Sequence, residues 1–282
     1  MKRWPSAAAA LLLAVGLAWG PGAAEAATGM AVSPSRFRLV KPAGQTASDQ
    51  VNITNNSSTP LQVQTDVTDM VIRTGEDGLS IRDEAPPGST PHSCARWIQV
   101  VGADNLVIPP GQTVPVEFVV SPPPEVKDGG YGAYLFFIGK PVRPAGEKTK
   151  QKAAVELVTV PRLGVSVVYE VEGTIRRKGE LQRLEVVPPS SSGPMKIRHQ
   201  FKNTGNAEIW LTGNFHILDE QGLLAGKGTL KTLKTFPGES GFSETVWQDA
   251  LAPGRYKLMV TFELGPNADQ VIVREVPLEI SG

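Results

Sequence analysis

The sequence is poor in the residues that most often build catalytic and metal sites. It has one cysteine and three histidines among 282 residues, and a single cysteine can form neither an internal disulfide nor a cysteine-rich metal site. The histidines, His92, His199 and His216, form no His-x-x-x-His or His-Glu-x-x-His motif. No Gly-x-Ser-x-Gly motif predicts a serine hydrolase. We therefore expect a protein that is not an enzyme and that uses no metal or cofactor.

Charge of one sign and aromatic side chains are also scarce. The 28 Lys and Arg residues balance 28 Asp and Glu residues, and aromatics make up 6% of the chain. A neutral chain has no basic field to hold a phosphate backbone, so nucleic-acid binding is disfavoured. The 29 glycines and 24 prolines indicate many turns and few long helices.

The N-terminal segment has the pattern of a secretory signal. Lys2 and Arg3 precede an apolar run at 7–18, and Ala24-Glu25-Ala26 matches a small-residue cleavage site. The run is shorter than the roughly 20 apolar residues of a membrane span. We predict that residues 1–26 are removed, that the mature chain has no membrane span, and that Cys94 is a buried small hydrophobe.

The rest of the chain shows the same order of strand and turn signals twice. Leu61, Val63, Thr65 and Val67 illustrate the period of two that predicts half-buried strands. Two turns then recur at a spacing of roughly 125–150 residues, which indicates a duplicated domain and not a solenoid repeat. These turns are Asn55-Asn56-Ser57 with Pro109-Pro110-Gly111-Gln112, and Asn203-Thr204-Gly205 with Phe236-Pro237-Gly238-Glu239. We predict an all-β protein of two tandem immunoglobulin-like β-sandwiches, residues 27–172 and 173–282.

A polar loop at 140–152 precedes a long alternating segment at 153–171, whose odd positions are almost all apolar. Pro161 interrupts this segment, which predicts an edge strand or a bulge at that point. Two interpretations of the alternation remain open. The apolar face can pack within its own domain, or it can be presented to a partner.

Residues 29–171 resemble the PapD-like family of periplasmic pilus-assembly chaperones, which have two immunoglobulin-like domains. The resemblance rests on the first strand (AVSPSRFR at 31–38), the Asn-Asn turn, the Pro-Gly turn, and the charged loop before the long strand. It implies a non-enzymatic periplasmic chaperone that binds an exported pilus or fimbrial subunit, with an outer-membrane usher as a further partner.

The resemblance also implies particular partner-binding residues. In that family the long strand lends apolar side chains to an incomplete pilin sandwich by strand addition, which points to Leu163, Val165 and Val167. The family's first-strand arginine, which grips the subunit's C-terminal carboxylate, corresponds to Arg38. Where the family has a lysine on the long strand, this chain has Gly164 or Ser166.

Two alternatives accompany these expectations. Arg36 lies on the same strand face as Arg38, and both can simply be solvated. The second half is also similar to bacterial cell-surface modules such as the WxL-interacting proteins, in segments 214–222 and 251–256. That similarity implies a secreted, periplasmic or cell-surface scaffold that binds an envelope protein or the cell wall.

Overall fold

The computed structural model of the chain describes residues 29–102, 106–142, 160–190, 193–265 and 270–281. The predicted signal peptide at 1–26 and the first part of the long alternating segment, 153–159, lie outside the described residues. Strands dominate the described part of the chain, and its helical content is a single 3-10 turn at Ala95–Trp97. No helix in this part is long and apolar enough to cross a membrane.

The first sandwich is formed by two sheets that enclose one apolar core. The strand order is β1-β3-β8-β6 in one sheet and β2-β10-β9-β4-β5 in the other, where β7 also pairs with β4. Phe37, Phe118, Phe137 and Tyr169 are the largest side chains of the core between them. The strands are β1 (Met30–Ser33), β2 (Arg36–Lys41), β3 (Ala47–Asn55), β4 (Leu61–Thr74), β5 (Ser80–Ala85), β6 (Ile98–Val100), β7 (Val107–Ile108), β8 (Thr113–Val120), β9 (Gly130–Pro141) and β10 (Arg162–Val171).

The second sandwich repeats this construction with a separate core. Its sheets have the orders β11-β12-β16 and β14-β13-β17-β18, and β15 pairs with β13. Phe201, Phe215 and Phe262 are buried between them. The predicted all-β fold of two immunoglobulin-like sandwiches is thus confirmed. The strands are β11 (Gly179–Val187), β12 (Met195–Asn203), β13 (Ile209–Leu218), β14 (Leu224–Thr229), β15 (Leu233–Thr235), β16 (Ser240–Trp247), β17 (Gly254–Leu264) and β18 (Gln270–Ile280).

The duplicated turns use the same hydrogen bonds in both sandwiches. The side-chain amide of Asn55 donates to the carbonyls of Thr59 and Ile108, and that of Asn203 donates to those of Ala207 and Thr235. In each sandwich a glycine of the Pro-Gly turn, Gly111 or Gly238, donates its N–H to the asparagine carbonyl. A fully buried asparagine therefore joins the two turn motifs that repeat in the sequence.

The two sandwiches contact each other through backbone and side-chain hydrogen bonds. The Gly130 N–H at the start of β9 donates to the Asn206 carbonyl at 2.8 Å. The Phe242 N–H on β16 donates to the Ser80 hydroxyl on β5 at 2.8 Å. The β4–β5 hairpin of the first sandwich thus lies against the second.

Candidate functional site

Strand β10 is paired along its whole length on one side and along only part of it on the other. It is antiparallel to β9 from Arg162 to Glu170. On its other side it is parallel to β2, and this pairing begins only at Ser166, opposite Arg36. Residues 162–165 therefore form an open edge, because no described strand pairs with them on the β2 side. Pro161 directly precedes this edge, in agreement with the predicted edge character of the segment.

The hydrogen bonds on either side show which backbone groups face the open edge. The N–H groups of Ser166 and Glu172 donate toward β2, to the carbonyls of Ser35 and Lys41, whereas the Val171 N–H donates to Gly129 on the β9 side. Backbone groups alternate along a strand, so even-numbered residues of β10 face away from β9. The N–H and C=O groups of Arg162 and Gly164 consequently point to the open edge.

The three predicted apolar residues lie on one face of β10 at different depths. Val165 and Val167 are fully buried in the core of the first sandwich. Leu163 is half-buried and packs at the margin of that core. Ordinary packing within the domain, one of the two interpretations left open by the alternation, therefore describes Val165 and Val167 in this structure. Of the three, Leu163 alone is partly accessible to solvent, and it lies next to the open edge.

Arg38 lies on β2 and is held in an ion-pair network. Its Nε and Nη2 donate to Oε2 of Glu170 at 2.9 and 2.6 Å. Glu170, on β10, is 1% exposed and also accepts from Nη2 of Arg177. Nη1 is therefore the one nitrogen of the Arg38 guanidinium that does not bind Glu170. The Arg38 side chain is 40% exposed.

Arg36 crosses to the second sandwich. Its Nη2 donates to Glu208 at 2.7 Å, and its guanidinium carbon lies 4.0 Å from the centre of the Trp210 ring. The Lys234 ammonium is 3.4 Å from the same ring. Burial, with repulsion from Arg82 and Arg36, lowers the pKa of Lys234 to about 8. The alternative in which Arg36 and Arg38 are simply solvated is therefore wrong.

These arginines line a cleft of about 360 Å³ between the sandwiches. Arg36, Arg38 and Arg177 contribute positive charge, and Trp210 and Thr212 form the wall from the second sandwich. Glu208 and Glu263 supply negative charge. An anionic group that entered the cleft would meet guanidinium donors in a partly desolvated site, where such pairs are strong.

The family resemblance pointed to Arg38, but the sequence analysis named none of the residues that surround it. Glu170 is the one polar residue among the apolar residues 167–171 of β10, and a buried carboxylate requires a cationic partner. That signal could have predicted the ion pair. The sequence contains no comparable signal for Arg177, Glu208 or Trp210, since these belong to the following domain.

The described residues offer neither a metal site nor a reactive thiol. They contain no group of three or more His, Cys, Asp and Glu side chains arranged to hold a metal ion. Cys94 is a fully buried free thiol, as predicted, and its burial raises its pKa. A thiol in this state is not reactive.

Comparison with known proteins finds similarity in structure alone. No family model and no curated protein sequence matches this chain. The YadV chaperone is 11% identical over 89% of this chain and 100% of its own, with a TM-score of 0.45. The E. coli chaperone DraB is 14% identical over 89% and 98%, with a TM-score of 0.44.

A third similar structure is the CsuC–CsuE chaperone–tip adhesion subunit pre-assembly complex from archaic chaperone-usher Csu pili of Acinetobacter baumannii. A chain of this complex is 13% identical over 87% of this chain and 97% of its own, with a TM-score of 0.44. The structural neighbours thus include the fimbrial chaperones to which the sequence resemblance pointed.

Proposed function

We propose that the protein is a non-enzymatic periplasmic chaperone that binds an exported, β-rich subunit of the pilus or fimbrial type by edge-strand addition. The observation that carries this proposal is the open edge of β10, where the backbone groups of Arg162 and Gly164 have no strand partner among the described residues. An incomplete sandwich exposes an apolar groove and unpaired strand edges, which aggregate unless they are covered. A strand that adds to such an edge gains affinity from main-chain hydrogen bonds.

The direction of β2 suggests how the partner strand would lie. β2 runs parallel to β10 and begins at Arg36, opposite Ser166. A partner strand that continues β2 in the same direction would end next to Arg36, at the margin of the arginine-lined cleft. We propose that its terminal carboxylate is held there by Nη1 of Arg38, with Arg177 as the nearby second cation in place of the family's lysine.

The burial of each apolar side chain on β10 decides whether it can contact the partner. Leu163 is the predicted residue that can contact a partner without repacking, because it is half-buried beside the open edge. Val165 and Val167 would have to leave a packed core to enter a partner's groove. Their direct part in binding stays a prediction, and in the proposed complex they hold β10 in position. Delivery of the subunit to an outer-membrane usher belongs to the same proposal.

The test is mass spectrometry of the proteins that co-purify with the tagged chain from the native periplasmic fraction. We expect a stoichiometric, small, β-rich subunit that lacks a final strand, and we expect much less of it with Leu163→Asp. Leu224→Asp is the matched control, because Leu224 is exposed on the second sandwich and distant in the sequence from β10. Envelope proteins or peptidoglycan fragments, without such a subunit, would instead favour the surface scaffold.

A further inference from the structure

On the outer face of β10, beside its open edge, a glycine leaves room for an aromatic ring from the neighbouring strand. Gly164 is exposed there and pairs with Phe136 on β9. A Cβ at position 164 would lie 2.5 Å from Cε1 of Phe136, so the aromatic ring occupies the space above the glycine. The ring of Phe136 therefore extends over β10, and it is itself only half-buried.

The orientation of this ring is fixed by its neighbours. The guanidinium of Arg162 lies 3.5 Å from the ring centre. Glu84 holds that guanidinium with hydrogen bonds of 2.6 and 2.7 Å, and Asp66 holds it with one of 3.1 Å. On the other side, Tyr134 is 5.7 Å away between ring centres. These contacts fix an aromatic surface next to the backbone groups of Arg162 and Gly164, which no described strand pairs with on the β2 side.

The surface continues into a shallow pocket of about 290 Å³, lined by Arg82, Asp83, Glu84, Tyr134, Phe136 and Gly164. Arg162 is already neutralised by Glu84 and Asp66. Asp83 is paired with Arg73, and Arg82 with Glu208. A charged partner side chain would therefore meet charges that are already engaged by other side chains. An apolar ring would bury the exposed part of Phe136 and lose no polar contact.

We propose that Phe136, held above Gly164, is a specificity contact that selects an aromatic side chain in the added strand. The inference rests on the proposed strand addition. A strand paired with β10 places one residue beside Gly164, at the usual spacing of neighbouring strands, about 4.7–4.9 Å. Glycine has no side chain to meet that residue, so the partner side chain on the outer face contacts the ring of Phe136.

The experiment compares two short synthetic peptides of alternating valine and threonine that are identical except for one central Thr→Phe change. Because the valines and threonines alternate, the phenylalanine lies on the outer face when the valines face the core. An aromatic pair gains affinity beyond that of its buried area, by about two- to tenfold. We expect the full chain to bind the phenylalanine peptide roughly two- to tenfold more tightly in a fluorescence polarisation assay.

Two variants test whether Phe136 causes the difference. Phe136→Leu keeps an apolar side chain but removes the ring, and Gly164→Ala displaces the ring. We expect both to reduce the preference to about one. Gly193→Ala is the control, because a Cβ there meets no atom within 4 Å, and it should keep the full preference.

The outcomes separate this inference from the proposed function. Equal affinity of the two peptides for the native chain would overturn the aromatic contact and leave strand addition in place. A preference that survives in both variants would also overturn it. Failure of both peptides to bind would overturn strand addition at β10 and, with it, the inference.

Discussion

A buried histidine should make the stability of the second sandwich depend on pH. His199 on β12 is 2% exposed, and neither ring nitrogen has a hydrogen-bond partner among the described residues. Its ring packs edge-on against Phe262, with 5.0 Å between ring centres. Burial lowers the pKa of His199 from 6.5 to about 4, because the core stabilises the neutral ring and not the charged one.

The sign of the effect follows from where the proton binds. Between pH 6.5 and about 4 the unfolded chain protonates this histidine while the folded chain keeps it neutral. The contribution of the neutral His199 ring to the free energy of unfolding is therefore fully present above pH 6.5, and it is lost as the pH decreases toward 4. At pH 4.5 the loss amounts to about 2.5 kcal/mol, taking 1.36 kcal/mol for each pKa unit.

The assay is urea unfolding of the native chain and of His199→Leu, each at pH 7.5 and pH 4.5. Tryptophan fluorescence follows the transition, because Trp247 is buried in the same core. Between pH 7.5 and pH 4.5, the free energy of unfolding should fall by about 2.5 kcal/mol more in the native chain than in His199→Leu. Other titrating groups are shared by both proteins and cancel in this comparison. Equal pH dependence of the two proteins would refute the reasoning.

Two further predictions concern the ion-pair network beside the cleft. Glu170→Gln leaves the buried Arg177 guanidinium and the partly exposed Arg38 guanidinium without their shared carboxylate, so it should lower the free energy of unfolding by about 3 kcal/mol. As a control, Glu185→Gln removes an exposed ion pair with Arg183 and should cost under about 1 kcal/mol. Equal costs of the two changes in urea unfolding would contradict the account. Arg38→Gln should weaken binding of the phenylalanine peptide about tenfold when its C-terminus is a free carboxylate. The same variant should leave binding of the C-terminally amidated peptide unchanged, and an equal loss for both forms in fluorescence polarisation would remove Arg38 from carboxylate binding.

The fold class could be predicted from the sequence, because strands and turns are indicated by residues that are close together in the chain. Alternating residues predicted the strands, and the two Asn and Pro-Gly turns predicted the duplication. The structure confirms that duplication through the equivalent hydrogen bonds of Asn55 and Asn203. The shared strand face of Arg36 and Arg38 also followed from the period of two, and both flank the buried Phe37.

The parts of the site that could not be predicted depend on contacts between distant residues. A period of two shows that one face of β10 is apolar, but it does not show whose core that face enters, and Val165 lies in the core of its own domain. Arg38 meets Glu170 across 132 residues, and Arg36 meets Glu208 across 172. Such pairs are fixed by strand order and by the position of the second sandwich. Neither can be read from the local patterns of a single sequence.

The most direct test of edge-strand addition is amide hydrogen exchange along β10, measured by NMR with and without the co-purifying subunit. The amides of Leu163 and Val165 face β9 and should be protected in both states. The amides of Arg162 and Gly164 face the open edge, and we predict that they become protected only when the subunit binds. A subunit that binds without slowing exchange at Arg162 and Gly164 would contradict the account.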